Sequence, residues 1–170
     1  GGAGSLRELG ERDLLYQNNG DGTFAEVAAA AGIVGGYWGL SATFTDIDND
    51  NWPDLYVTND LWSPDTFYHN NGDGTFSLID PMMMQHTPWF SMGIDFGDIN
   101  NDGYQDYFIG DMISRDPTLR LTQHGAMDMS PTPPEFAPQM MRNSLYLNNG
   151  DGSFSDIAWM ADVAASDWTW

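Results

Sequence analysis

Asp46-Ile47-Asp48-Asn49-Asp50-Asn51-Trp52-Pro53-Asp54 returns later in the chain as Asp98-Ile99-Asn100-Asn101-Asp102-Gly103-Tyr104-Gln105-Asp106. A second string, Asn-Asn-Gly-Asp-Gly-Thr-Phe, stands at 18–24 and 70–76 and recurs at 148–154 with Ser for Thr. The acidic pattern (46 to 98) and the glycine pattern (18 to 70) share one offset of 52 residues. Two unrelated motifs with the same offset mark an internal repeat, and a repeat decides the architecture. The third glycine string lies 78 residues after the second (70 to 148), so the second unit carries 26 extra residues. These fall within about 112–141, a Pro- and Met-rich stretch without a clear period that reads as an excursion loop.

Short β-branched and aromatic runs flank the acidic strings. Residues 40–45 and 55–58 bracket the first, and 93–96 and 107–109 bracket the second, so each acidic string joins two predicted strands. The glycine strings follow Leu15-Tyr16, Phe67-Tyr68 and Leu145-Tyr146 and precede a Phe, the pattern of a hairpin with an Asn-Gly turn. Four short strands in about 50 residues is the content of one propeller blade. Only 25–31 reads as helical. The fold class is therefore all-β, a β-propeller-type blade repeat with two full units and a half unit at each end. The expected divisions are a half unit over 1–36, a unit over 37–88, a unit over 89–163 with the insertion, and the start of another over 164–170.

The acidic strings carry the chemistry. Positions 1, 3, 5 and 9 are Asp46, Asp48, Asp50 and Asp54 in the first, and Asp98, Asn100, Asp102 and Asp106 in the second. Side-chain oxygens crowded at alternate positions of a tight loop repel one another without a cation, and calcium takes six to eight oxygens at about 2.3–2.6 Å. The spacing predicts one calcium ion per loop, two in all. By analogy with other Asp-rich calcium loops, the backbone carbonyls of Trp52 and Tyr104 at position 7 are additional ligands. An EF-hand needs Glu at position 12 and helices on both sides. Val57 and Ile109 stand there, between strands. Asp and Asn also favour turns without any metal, a reading weakened by two loops of matched spacing. For the glycine strings the turn reading is preferred, so Asp21, Asp73 and Asp151 are not expected as ligands.

The composition agrees with a cation-binding protein. The 170 residues carry 25 acidic and five basic side chains, a net charge of −20, and the basic ones are all Arg. Such a surface repels nucleic acid and anionic lipid. Two calcium ions would bring the charge from −20 to about −16. No cysteine is present, which excludes disulfides, thiolate zinc sites and cysteine nucleophiles. No apolar run approaches membrane-spanning length.

The paired motifs resemble the FG-GAP/VCBS repeat family, whose blades combine an Asp-x-Asp-x-Asp-Gly-x-x-Asp calcium loop with a Leu-Tyr-x-Asn-Asn-Gly-Asp-Gly-Thr-Phe hairpin. Ser91-Met92-Gly93, Gly110-Asp111-Met112, Arg142-Asn143-Ser144-Leu145 and Asp167-Trp168-Thr169-Trp170 resemble the bacterial members that precede an ASPIC/UnbV domain. The resemblance implies a propeller related to the integrin α-subunit head, extracellular, with calcium in its blade loops. It also implies a partial ring, since propellers close with about four to eight blades. Asn51 departs from the family's Gly, a modest change because Asn tolerates the left-handed conformation.

The expected function is a secreted or cell-surface, calcium-binding structural or adhesion module, not an enzyme, with a protein or carbohydrate ligand. The alternative is a self-assembling protomer, a homo-polymer whose half units complete a neighbour's blades, with Trp168 and Trp170 as anchors; the missing blades of a longer parent chain would serve the same edges. A propeller domain of a polysaccharide-active enzyme ranks below both. His69, His86 and His124 stand in no recognisable catalytic motif, and His86 near Ser91 is weak evidence for a nucleophile pair. Trp38, Trp52, Trp62 and Trp89 read as blade-to-blade core in preference to faces that stack on sugars, and Met82-Met83-Met84 as gap filler in preference to an adaptable contact surface.

Overall fold

A computed structural model describes residues 10–61, 63–112, 114–123 and 137–166. Trp62, His124 and the stretch 167–170, with Trp168 and Trp170, lie outside the described residues. The chain is all-β with one short helix among the described residues. β1 (Tyr16–Asn18) and β2 (Phe24–Glu26) form a hairpin, and β3 (Gly39–Thr45), β4 (Asp54–Asn59), β5 (Thr66–Asn70) and β6 (Phe76–Leu78) follow as an antiparallel meander in sequence order. A 3-10 turn over Pro81–Met84 and β7 (Thr87–Pro88) lead to β8 (Ser91–Gly97) and β9 (Asp106–Asp111). Helix α1 (Pro117–Gln123) and β10 (Gln139–Met140) intervene before β11 (Ser144–Asn148) and β12 (Phe154–Asp156). β8, β9, β11 and β12 make the second four-stranded sheet, and β10 pairs with β7 in parallel.

The two sheets repeat each other in detail. Each first strand shifts register near its start, at Gly39/Ser41 and at Ser91/Gly93. Alternation along the strands sends successive residues to opposite faces. In β4, Tyr56 packs into the core between the sheets, while Leu55 and Val57 pack on the other side against Ala28, Ala31 and Ile33. In the second sheet, Tyr107, Ile109 and Tyr146 face the first sheet, and Leu145 is covered by Ala158 and Ala164. The inter-sheet core is a run of rings: Tyr56 lies 5.7 Å from Tyr107, and Tyr107 lies 4.9 Å from Tyr146. Burying each such ring contributes on the order of 2–3 kcal/mol.

Four expectations are corrected here. The tryptophans do not form the blade-to-blade core: Trp38 and Trp52 are exposed, and Trp89 is buried with Phe90 in a separate cluster. Tyrosine and phenylalanine take that place because they sit on strands whose alternation points them inward, whereas Trp52 sits in a loop. The segment after β2 closes one helical turn, Ala31 N–H to Val27 O, and stops at Gly32 with φ +80°. The insertion is not loop throughout, since it contributes α1 and β10. Of the three consecutive methionines only Met84 fills the core; Met82 and Met83 are exposed.

Candidate functional site

Each acidic string is the connection between the first two strands of a four-stranded sheet, β3 to β4 and β8 to β9. Asn49 and Asn51, and Asn101 and Gly103, hold positive φ, which curls the backbone so that its N–H groups turn toward the carboxylates. The same hydrogen bonds form in both loops. Asp50 N–H donates to Asp46 Oδ1 (3.1 Å) and Asp48 Oδ1 (3.2 Å), and Asn51 N–H donates to Asp46 Oδ2 (2.9 Å). Asp102 N–H donates to Asp98 Oδ1 (3.0 Å) and Asn100 Oδ1 (3.1 Å), and Gly103 N–H donates to Asp98 Oδ2 (3.0 Å). Trp52 and Tyr104 N–H close each loop onto Asp50 and Asp102.

The first loop brings Asp46, Asp48 and Asp50 together, with one oxygen of each within 4.8 Å of the others. Oxygens across an ion held at about 2.3–2.6 Å stand up to about 5 Å apart, so the convergence suits calcium. In the second loop Asn100 replaces the second carboxylate, and its Nδ2 donates to Asp102 Oδ2 at 2.8 Å. The donor set is carboxylate and amide oxygen, the chemistry of a hard cation.

Asp54 and Asp106, at position 9, are fully buried and differ from the others. Asp54 accepts from Ile47 N–H (3.2 Å) and from Asn70 N–H in the neighbouring hairpin (2.8 Å). Asp106 accepts from Ile99 N–H (2.9 Å) and Asn148 N–H (2.9 Å). Burial pushes the Asp54 carboxyl above its usual range, against the two backbone hydrogen bonds that favour its charge. Position 9 therefore fastens the loop to the hairpin of its own sheet. Position 7 does the same through packing: a Cβ on Gly72 would lie 2.8 Å from the Trp52 indole nitrogen, and one on Gly150 would lie 2.7 Å from the Tyr104 ring.

The hairpin carboxylates are spent on their own turns. Asp73 Oδ1 accepts from the Thr75 hydroxyl (2.6 Å) and N–H (3.0 Å), and Asp21 and Asp151 do likewise with Thr23 and Ser153. These hydroxyl and backbone bonds hold all three carboxyls below the usual range.

Sequence reasoning missed His69. Its Nδ1 lies 3.2 Å from Asp54 Oδ1 and 3.4 Å from Asp48 Oδ2, so an imidazole joins the first loop. The corresponding hairpin positions hold Gln17 and Leu147, and that exchange was the available signal. His86 is buried beside Arg142 (3.0 Å), Asp156 (3.3 Å) and Tyr146, whereas Ser91 Oγ donates to Asp65 (2.9 Å) and does not meet it. Burial alone would raise the Asp156 carboxyl, but hydrogen bonds from His86 and Arg142 prevail and hold it far below the usual range.

Sheets of four short antiparallel strands, each with an Asp-rich loop after its first strand and an Asn-Gly hairpin at its outer edge, define an all-β protein of propeller-type blades. The FG-GAP-like repeat family matches residues 6–57 and 46–109, more than half of the chain, and the chain belongs to that family. It is 30% identical over 120 residues to integrin alpha-3 of Cricetulus griseus and 29% identical over 120 residues to integrin alpha-3 of Mus musculus. Each match covers 64% of this chain and 11% of the integrin, so the chain spans about a tenth of the length of those relatives. Among the described residues no helix is long and apolar enough to cross a membrane.

Proposed function

We propose that the chain is a calcium-binding, non-catalytic module of an extracellular or cell-surface protein, and that its blades present a rigid surface for adhesion. The observation that carries this is the identity of hydrogen bonding in two loops whose sequences differ at four of nine positions, including Asn51 against Gly103 and Trp52 against Tyr104. A turn that only reverses the chain does not require the three convergent carboxylates of the first loop. In this reading Asp46, Asp48, Asp50 and Asp54 hold one ion and Asp98, Asn100, Asp102 and Asp106 the other, with the carbonyls of Trp52 and Tyr104 added. The ion supplies charge neutralisation and cross-links the loop. The kinship to integrin alpha-3 supports adhesion as the setting. The unit divisions 37–88 and 89–163 are adopted as blades, with 1–36 and 164–170 as parts of flanking units.

Isothermal titration of calcium into chelator-stripped protein tests the assignment. Two sites are expected, Asp46→Ala and Asp98→Ala should each remove one, and the four-carboxylate loop should be the tighter. Absence of heat, or equal affinity for magnesium, overturns it.

A second reading, assembly with further blades or with another copy, draws on the first hairpin. Tyr16 and Phe24 are 57% and 61% exposed, whereas their counterparts Tyr146 and Phe154 are 0% and 5% exposed. A motif that buries its rings elsewhere and exposes them here favours a covering surface.

A further inference from the structure

Between the two sheets, at the end where the acidic loops lie, a pocket of about 320 Å³ opens beside the first loop. That volume falls within the range of small-ligand sites, roughly 300–1,000 Å³. Its walls include the rings of Phe67, Tyr104 and Phe154, with Ile47 and Ile79. Its polar side chains include Asp48, Asp80 and His69. The pocket draws on both sheets: Phe67 and His69 come from β5, Phe154 from β12, and Tyr104 from the second acidic loop. One wall is fixed by packing: Gly150 lies so close to the Tyr104 ring that a Cβ there would strike it.

We propose that this pocket binds an organic ammonium: a primary or substituted amine on an apolar body. Aromatic faces attract cations through their quadrupole, more strongly where water is excluded. The carboxylates of Asp48 and Asp80 supply full negative charge, and no Lys or Arg is among the lining residues. The preference holds with or without calcium in the adjacent loop. Four carboxylates at Asp46, Asp48, Asp50 and Asp54 less one divalent cation leave a formal charge of −2, and Asp80 adds another negative charge. An anionic or neutral ligand gains nothing from that field. The body of the ligand sits against Ile79 and the rings, and its ammonium lies toward Asp48 and Asp80.

The test is ligand-observed NMR titration of the whole chain with 2-phenylethylammonium, and with 2-phenylethanol and 3-phenylpropionate as neutral and anionic counterparts of similar shape. The ammonium should bind saturably and at least tenfold more tightly than the alcohol, and the carboxylate should not bind. Met83→Trp, at the mouth, should abolish binding. Asp80→Asn keeps the acceptor that caps the Met82 N–H and removes the charge, so it should weaken the ammonium several-fold and leave the alcohol unchanged. Equal binding of alcohol and ammonium, preference for the carboxylate, no saturable binding, or indifference to both substitutions would overturn the proposal. The series is run in calcium and in EGTA: ammonium selectivity in both supports the pocket, and its absence in both sinks it. Failure of calcium to bind at all would refute the function proposed above without touching this one.

Discussion

Asp65 is a carboxylate buried at the junction of the two sheets. Its Oδ1 accepts from Asn59 N–H (2.8 Å), and its Oδ2 accepts from the Tyr56 hydroxyl (3.0 Å) and the Ser91 hydroxyl (2.9 Å). Burial still pushes its pKa from 3.8 to about 7, with the charge of Asp111 adding to the rise and the three hydrogen bonds opposing it. A carboxyl whose pKa is higher folded than unfolded favours the fold in its protonated form. Its contribution is fully present below about 3.8 and is lost as the pH rises through about 7. About three units at 1.36 kcal/mol each gives a loss on the order of 4 kcal/mol across that window. Replacement by Asn should abolish the loss. The chain itself supplies the precedent, because Asn143 occupies the equivalent place in the second sheet and accepts the Asp111 N–H at 2.7 Å, as Asp65 accepts that of Asn59.

The assay is urea unfolding of the native chain and of Asp65→Asn between pH 4 and pH 8, followed by tryptophan fluorescence, with calcium in excess so that the loop carboxylates stay in one state. The curves should nearly meet at pH 4. At pH 8 the variant should be the more stable by about 2–4 kcal/mol, less whatever the amide loses in hydrogen-bond geometry. Parallel curves across the whole range would refute the reasoning, and so would a variant less stable at pH 8 than at pH 4 relative to the native chain.

Chelation should lower the melting temperature, because a loop ion binds only the folded state; at free calcium about 100 times the dissociation constant one site adds roughly 2.7 kcal/mol, and calorimetry with and without EGTA reads it. Gly72→Ala should cost about 1–3 kcal/mol, combining a positive φ of 74° with a Cβ pressed on Trp52, whereas Gly74→Ala, with φ 88° and open space, should cost only the backbone strain of about 1 kcal/mol. Equal losses in denaturant melts would remove the Trp52 contact from the account. Tyr107→Phe should be neutral or stabilising by up to about 1 kcal/mol, since the buried Tyr107 hydroxyl has no hydrogen-bond partner among the described residues. A clear loss of stability there would reveal a partner.

The sequence displays the parts of this fold that depend on local chemistry. Strand alternation around Tyr56 and Tyr107, the Asn-Gly hairpins and the alternate oxygens of the acidic loops are all set by neighbours in the chain, so their spacing is visible directly. The placement of Trp52 is not of this kind. Aromatic content suggested core, but a loop residue obeys no alternation, and its ring rests on a glycine of a hairpin further along the chain. His69 was missed for the opposite reason: a lone histidine on a strand carries no motif, and only its approach to Asp48 and Asp54 gives it a role.

What repeats most faithfully is therefore a contact, and the chain distance beneath it is free to vary. Asp54 receives the N–H of Asn70 across 16 residues, and Asp106 receives that of Asn148 across 42, because the insertion lies between β9 and β11. The hydrogen bonds agree within 0.1 Å all the same, 2.8 against 2.9 Å. Loop and hairpin thus act as one clasp, closed by a buried carboxylate on one side and an aromatic ring over a glycine on the other. The clasp sets where the acidic loop stands through hydrogen bonds and packing that the chain itself supplies. That is why the two loops can differ in ligand charge and turn residue and still hold the same geometry. It also lets the chain accept 26 extra residues in the second unit (78 against 52) without disturbing the carboxylates on which the proposed function depends.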